Sequence, residues 1–383
     1  VVNEIRNLAA AYTKVIVFVN SDEGTVTLPA NVQIRKMTYD TYSTGTILRS
    51  HFFLFMRLIT KEFFAYPAYL LKVKQFKQTI SGLLRSFYLA DCIKKEKVEG
   101  VFYTFWFNQW ASALALLKKK GAIRSFVSRV HGADLYEERV PMIKRIPFRR
   151  FQLKQVSGVF SVSETGAAYL RKKYPAFAEK IHTSYLGTQD MGAGTFDPQA
   201  VFTIVSCAHI RNIKRIYLIP EILKHADFPV RWIHIGEEKP KDNTYHLFKA
   251  NMKKLEENKL VKVELKGNLV QEEVFGLYKS TPVHAFLSVS STEGLPVSMM
   301  EAISFGIPVM ATDVGGCKEI VTEKTGVLID ADPDPEKVME ELKKFSTSKY
   351  VTETFRSGVR AFWQQEFNAP VNFANFTNEL EAI

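Results

Sequence analysis

The chain is poor in cysteine, poor in acid over its first half, and without a long apolar run. Its three cysteines, Cys92, Cys207 and Cys317, are odd in number and widely spaced. That excludes a disulfide framework and any clustered metal pattern, and a reducing, cytoplasmic setting fits. No run of about 18 uncharged apolar residues occurs, so no helix is expected to span a membrane. No signal peptide is legible at Val1, no segment is of low complexity, and no repeat of solenoid period appears. The shortage of acid is local. Residues 1–200 carry 29 Lys+Arg against 15 Asp+Glu, a balance of +14, whereas residues 201–383 carry 22 against 25, a balance of −3. A basic half meets nucleic acid, an anionic membrane surface or an anionic substrate, or it is a solubilising surface.

What is present is ordinary for a soluble globular enzyme: 46% apolar and 24% charged residues over 383 positions, a length that predicts two domains. The richest stretch is FLSVSSTEGLPVSMMEAISFGIPVMATDVGGCKEIVTEKTGVLID, from Phe286 to Asp330. Ala285 to Val289 reads as a buried strand. A Ser/Thr/Gly loop follows, and Pro296 suits the first position of a helix, where its missing N–H is no loss. That helix is expected to run through Met300, Glu301 and Ile303 and to stop near Gly306. A second strand, Pro308 to Thr312, leads to Gly315-Gly316, with Glu319 in the next helical turn.

A loop at the carboxyl end of a strand is where open α/β sheets bind ligands. The amides from Gly294 through Leu295 and Pro296 to Val297 would lie at a helix N-terminus, suited to a diphosphate. Glu293 and Glu301 are poor phosphate ligands but strong acceptors for hydroxyl groups. Phosphate donors beside hydroxyl acceptors describe a nucleotide-sugar site.

On these residues the chain resembles the retaining GT-B glycosyltransferases of family GT4. The paired glutamates of EGLPVSMME, then GIPVMATDVGGCKEIV and TGVLID, match that family's pattern. The resemblance implies an α/β fold of the GT-B type, two Rossmann-like doubly wound parallel-sheet domains facing a cleft. It implies an acceptor-binding domain over 1–190, a nucleotide-sugar-binding domain over 198–355, and a C-terminal helix, 356–383, crossing back to the first. It also implies transfer of a hexose-type sugar from a UDP- or GDP-sugar to a hydroxyl of a glycan, polysaccharide or lipid-linked acceptor. Neither metal nor cofactor is implied, and no nucleic acid. An epimerase of the same fold and a non-catalytic basic membrane-binding protein are the alternatives. The intact set of Glu293, Glu301 and Lys214 argues against the latter.

The first half reads as a helix over 3–12, strands at Val15–Val19 and Val32–Met37, then an aromatic and basic stretch over 50–90 with a break at Pro67. That stretch is either a membrane-surface element or a pair of core-facing helices with solvated charges, and it underlies the expectation of an anionic membrane surface as partner, met peripherally from the cytoplasmic face. Strands are expected at Val101–Phe105, Ser125–Val130, Gly158–Ser163 and Ile181–Leu186. The motif RVHGADLYEE follows the second of these. The resemblance places its His131 near the transferred sugar. Asp134, Glu138 and Arg139 are acceptor-side candidates. The basic cluster from Arg139 to Arg150 either holds an acceptor's phosphates or is a solvated face.

In the second half, strands are expected at Phe202–Cys207, Trp232–Ile235 and Val263–Lys266, and helices at Gln271–Lys279, 336–347 and 352–366. The family carries an Arg and a Lys on the donor's diphosphate. Lys214 matches the Lys, but His209 stands at the Arg position and Arg211 is the substitute. Gly267 lies near the base in the resembled enzymes. Asp330 and Asp332 read as a turn. A Rossmann-like half opens on a strand, yet this chain opens on a helix, so either an upstream segment or a gap in the N-terminal sheet is expected.

Overall fold

A computed structural model describes residues 2–20, 27–37, 43–140 and 144–382. They divide into two compact units. Unit 1 comprises residues 1–184 and 373–383, and unit 2 comprises residues 185–372.

Among its described residues unit 1 holds six parallel strands in two sheets: β1 (Val15–Val19) with β2 (Val32–Lys36), and β3 (Tyr103–Thr104), β4 (Val127–Val130), β5 (Gly158–Ser161) and β6 (Ile181–Thr183) in that order. Among the described residues no strand joins β1 to β3. The strand expected over Val101–Phe105 is only two residues long. β4 and β5 are buried along their whole length, as strands covered on both faces must be. One face packs on a core including Leu83, Phe87, Leu114 and Leu116 from the helices Val73–Lys95 and Gln109–Lys119. The other packs on Leu8 of the helix Val2–Ala11 and on Phe376 and Leu380 of the last helix, Ala369–Glu381. Arg129, in the middle of β4, is fully buried there. It donates to Glu4 at 3.0 Å and stacks on Phe376 at 4.0 Å. The helix Thr44–Ala65 stops just before Pro67, whose ring forbids the next helical hydrogen bond.

Unit 2 has one six-stranded parallel sheet, from β7 (Phe202–Cys207), β8 (Val230–Ile235), β9 (Val261–Leu265), β10 (Ala285–Ser288), β11 (Val309–Thr312) and β12 (Gly326–Ile329). The order is β9-β8-β7-β10-β11-β12. The chain works outward from β7 to one edge, then returns to lay β10 on its other side. That reversal between β7 and β10 is the strand-switch crevice of a doubly wound sheet. Val, Ile, Phe and Trp fill the central strands, and Trp232 is fully buried. The helix Glu353–Glu366 stays with unit 2, where the Trp363 indole donates to Thr188 at 2.7 Å. The helix Tyr245–Leu255 had no counterpart in the sequence reading, and the shorter helix Leu218–Leu223 contains Pro220.

Candidate functional site

The loops leaving β7 and β10 carry most of the candidate residues of unit 2. After β7 the chain makes a 3-10 turn, Asn212–Lys214. Lys214 therefore ends a short turn four residues before the helix Leu218–Leu223 rather than opening a helix. Its ammonium donates to Glu293 Oε1 at 2.6 Å, with the two side chains 28% and 10% exposed. The cation and the first glutamate of the pair, 79 residues apart, thus meet at the switch point. Arg211 lies exposed at the start of the same turn, near Asp242 and Glu237, and its guanidinium does not reach the pair.

Arg215, which the sequence reading passed over, holds the two loops together. It adopts a left-handed backbone, φ +48°, and its buried guanidinium donates to the carbonyls of Val289 at 2.7 Å, Ser290 at 3.0 Å and Ala331 at 2.7 Å. Ser290 also accepts from Thr312 at 2.6 Å, and the Ser291 N–H donates to Ile213 at 2.9 Å. The basic pair KR in IKRI was the visible signal. Which of the two meets Glu293 and which is buried on carbonyls is decided by the turn.

The loop after β10 is also clamped from β11. Gly315 sits at φ +56°, and a Cβ there would lie 2.1 Å from the carbonyl oxygen of Glu293. The Gly316 N–H donates to the Gly294 carbonyl at 2.9 Å. The helix itself is Val297–Ser304, so Pro296 is its N-cap, in an extended conformation, rather than its first residue. Among the described residues the N–H groups of Gly294, Leu295 and Val297 have no hydrogen-bond partner. Pro296 has no N–H to give. Three donors therefore converge where the positive end of a helix favours an anion. The helix stops at Ser304 and the chain turns at Gly306, φ +74°.

Glu301 is 9% exposed, one helical turn inward. Burial raises its pKa, and the Gln271 amide, donating to Oε1 at 2.6 Å, opposes that rise. Gln271 opens the helix Gln271–Ser280 and was not singled out from sequence. It leaves the other carboxylate oxygen for a hydroxyl donor. Gly267 follows β9 at φ +66°, its carbonyl accepting from the Gly236 N–H at 2.8 Å, with open space where a Cβ would stand. Asp332 lies on Arg215 at 3.5 Å and Asp330 is exposed.

In unit 1, His131 directly follows β4. Its ring packs against both Phe105 and Trp106, at centroid distances of 4.4 Å and 4.5 Å. Among the described residues neither ring nitrogen has a partner. Burial first, and then the Arg129 charge, push its pKa down to about 3, so the ring is neutral. Asp134 accepts from the His131 N–H at 2.7 Å and from the Phe107 N–H at 2.5 Å. Burial raises its pKa to about 6 against the opposing Arg149 charge. It shapes the turn that carries His131. Glu138 is held by Lys173 and Tyr169, each at 2.7 Å. Arg139 stacks on Tyr136 at 3.9 Å and donates to the Gly132 carbonyl at 3.1 Å. The three acceptor-side candidates thus bind their own unit. The basic cluster behind them is neither a bare phosphate site nor a solvated face throughout. Arg149 is buried on Phe107, Gln152 and the Asp134 carbonyl, and Arg145 pairs with Glu62 at 2.8 Å.

A pocket of about 510 Å³ opens beside the loop that carries Phe107. Gln78, Asn108, Gln109 and Ser112 line it, with Lys74 at one side and Phe148 among its apolar walls. Among the described residues the Gln78 and Gln109 amides make no side-chain hydrogen bond. No lining residue carries a carboxylate.

Comparison with known proteins meets this geometry in unit 2. Residues 202–347 match the family model of glycosyl transferases group 1. The chain is similar to the O-antigen biosynthesis glycosyltransferase WbnH of Escherichia coli, 29% identical over 100 residues, which cover 23% of this chain and 29% of that protein. The match thus spans less than a third of that curated relative's length. Among solved structures, sucrose-phosphate synthase from Thermosynechococcus elongatus superposes with a TM-score of 0.69 at 15% identity, covering 99% of this chain and 92% of that one. HepE from Anabaena, solved with UDP and glucose, gives 0.64 at 15% identity over 77% and 82%. Residues 202–347 are thus similar to the glycosyl transferases of group 1, and the two parallel α/β units match the GT-B fold.

Proposed function

We propose that the protein is a retaining glycosyltransferase that moves a hexose from a nucleotide diphosphate sugar to a hydroxyl of a polysaccharide, glycan or lipid-linked acceptor. The observation that carries this reading is the convergence of Lys214, Glu293 and three N–H groups without partners at the β7/β10 switch point. An ammonium and three oriented N–H donors match a diphosphate, and Glu301, oriented by Gln271, matches the ribose hydroxyls. When the diphosphate enters, Lys214 exchanges Glu293 for it. Glu293 then turns to hydroxyls of the sugar. Arg211 becomes the second cation by swinging in from its exposed place at the start of the turn, and Gly267 lies beside the base. The neutral His131 serves the sugar's primary hydroxyl region, where a charged imidazolium would be out of place.

In the transfer the bond from the anomeric carbon to the phosphate oxygen breaks. The acceptor oxygen bonds that carbon on the same face, and the acceptor proton passes to the leaving phosphate. Stabilising the leaving charge is the dominant contribution, and Lys214 with the loop donors supplies it without a metal. The first 190 residues take the acceptor, whose sugar suits the amide-lined pocket at Gln78 and Gln109. The last helix returns the chain to that unit. HepE was solved with UDP and glucose, and a UDP-hexose is the donor we assign first. The enzyme works peripherally at an anionic membrane, on its cytoplasmic face.

The test is a thermal-shift screen of UDP- and GDP-sugars, followed by turnover with and without acceptors, and with and without EDTA. A ligand at 100 times its Kd adds about 2.7 kcal/mol. A sugar nucleotide that stabilises the protein and is consumed only with an acceptor supports the reading. Interconversion of the sugar without any acceptor would place the protein among epimerases instead.

A further inference from the structure

The helix Thr44–Ala65 buries Ile47, Phe55, Leu58, Ile59 and Glu62 on one side. On the other, Phe53, Met56, Thr60 and Phe64 recur at spacings of three and four, which places them on one helical face. Phe53 is 86% exposed and Phe64 77%. Beyond the break at Pro67 the exposure continues, with Leu70 at 68% and Leu71 at 90%. Single exposed apolar residues are ordinary, but a run of large ones along one segment marks an interaction surface.

The charges around this run decide its partner. Residues 43–90 contain seven Lys and Arg and one acid, Glu62. That acid is 6% exposed and paired with Arg145. Arg57 and Lys61 lie one and two turns after Phe53, and Lys74 and Lys77 follow Leu71, all four exposed. A second copy of the chain would have to present the same face to itself in a twofold contact, bringing like charges together. An anionic bilayer supplies both complements: acyl chains for the phenyl and leucyl groups, and phosphates for the cations.

We infer that the face from Phe52 to Lys77 is a monotopic docking surface for an anionic bilayer. Phe53, Phe64, Leu70 and Leu71 enter the acyl boundary, and Arg57, Lys61, Lys74 and Lys77 lie among the headgroups. The inference rests on the proposed function only for why a membrane is met, because the surface belongs to unit 1 and the nucleotide residues to unit 2.

The full chain is sedimented with vesicles of phosphatidylcholine alone and of phosphatidylcholine with an equal share of phosphatidylglycerol. Three forms are compared: the wild type, Phe53→Ser/Leu71→Ser, and Arg57→Gln/Lys61→Gln. UDP-induced thermal shifts run beside them to show that each variant is folded. The wild type binds the anionic vesicles at least tenfold more tightly than the neutral ones, and salt weakens that binding. The apolar variant loses at least tenfold. The charge variant loses about 25-fold, at roughly fivefold for each cation near an anionic surface. No sedimentation with anionic vesicles at low salt, or equal sedimentation of the apolar variant, overturns the inference. A dimer in ultracentrifugation that Phe53→Ser/Leu71→Ser abolishes overturns it in favour of self-association. Vesicle binding without any nucleotide binding refutes the glycosyltransferase reading and leaves the surface standing. Nucleotide binding without vesicle binding does the reverse.

Discussion

The pairing of Lys214 with Glu293 makes the two residues competitors as well as partners, and that predicts opposite effects of removing them. At 2.6 Å the ammonium is bound to a carboxylate only 10% exposed. An incoming diphosphate must take Lys214 from Glu293 and lie near a charge of its own sign. In Lys214→Ala the diphosphate loses a charge-assisted bond worth about 1.5–3 kcal/mol, and Glu293 remains beside it without its partner. Affinity for UDP or GDP is then expected to fall about 10- to 150-fold, while affinity for the nucleoside stays within about twofold. In Glu293→Gln the repulsion goes and Lys214 is released. The diphosphate then binds more tightly, by up to about tenfold for roughly 1.4 kcal/mol recovered, while sugar transfer is lost. Calorimetric titration of both single variants and the double variant closes the cycle. Lys214→Ala should weaken diphosphate binding more in the Glu293→Gln background than in the wild type, because there the ammonium has no competitor. Equal losses for diphosphate and nucleoside in Lys214→Ala, or weaker diphosphate binding in Glu293→Gln, would refute the reasoning.

Three further predictions follow from the same geometry. Glu301→Gln should lower nucleotide diphosphate affinity by about 1.5–3 kcal/mol through the ribose and leave a 2′,3′-dideoxy nucleotide unaffected; strong loss for the dideoxy compound shows the assignment to be wrong. Gly315→Ala places a Cβ 2.1 Å from the Glu293 carbonyl at φ +56°. It should cost about 1–2 kcal/mol of stability from the left-handed backbone alone, and about 100-fold in turnover if the loop shifts by an ångström; a normal melting temperature with normal kcat would contradict the clamp. His131, depressed to about 3 from an ordinary 6.5, stays neutral in the fold while its unfolded counterpart takes up a proton below pH 6.5. The fold therefore loses stability as pH falls from 6.5, by about 2.7 kcal/mol at pH 4.5. Chemical denaturation of wild type and His131→Asn over that range checks it, since the variant should lack this part of the acid sensitivity.

Much of unit 2 was legible in the sequence because its signals are local. An apolar run, a Gly/Ser loop and a helix pattern follow each other between Ala285 and Ser304, and each depends on neighbours in the chain. The need for glycine at Gly315 could also be suspected from the paired glycines. The charge count of 1–200 was enough to expect a basic first unit, because charge is a sequence fact. The tertiary structure decided everything that depends on which strands are neighbours. Placing β10 beside β7 joins Lys214 to Glu293 across 79 residues and puts Gln271 on Glu301 across 30. No periodicity carries that information, because register along a sheet fixes it. The same holds for Arg215, which the sequence reading passed over, and Arg149, which it left as a phosphate ligand or a solvated cation; both are buried hydrogen-bond hubs in the fold. A charged side chain looks alike in sequence whether water or carbonyl oxygens will surround it, and only packing supplies the carbonyls.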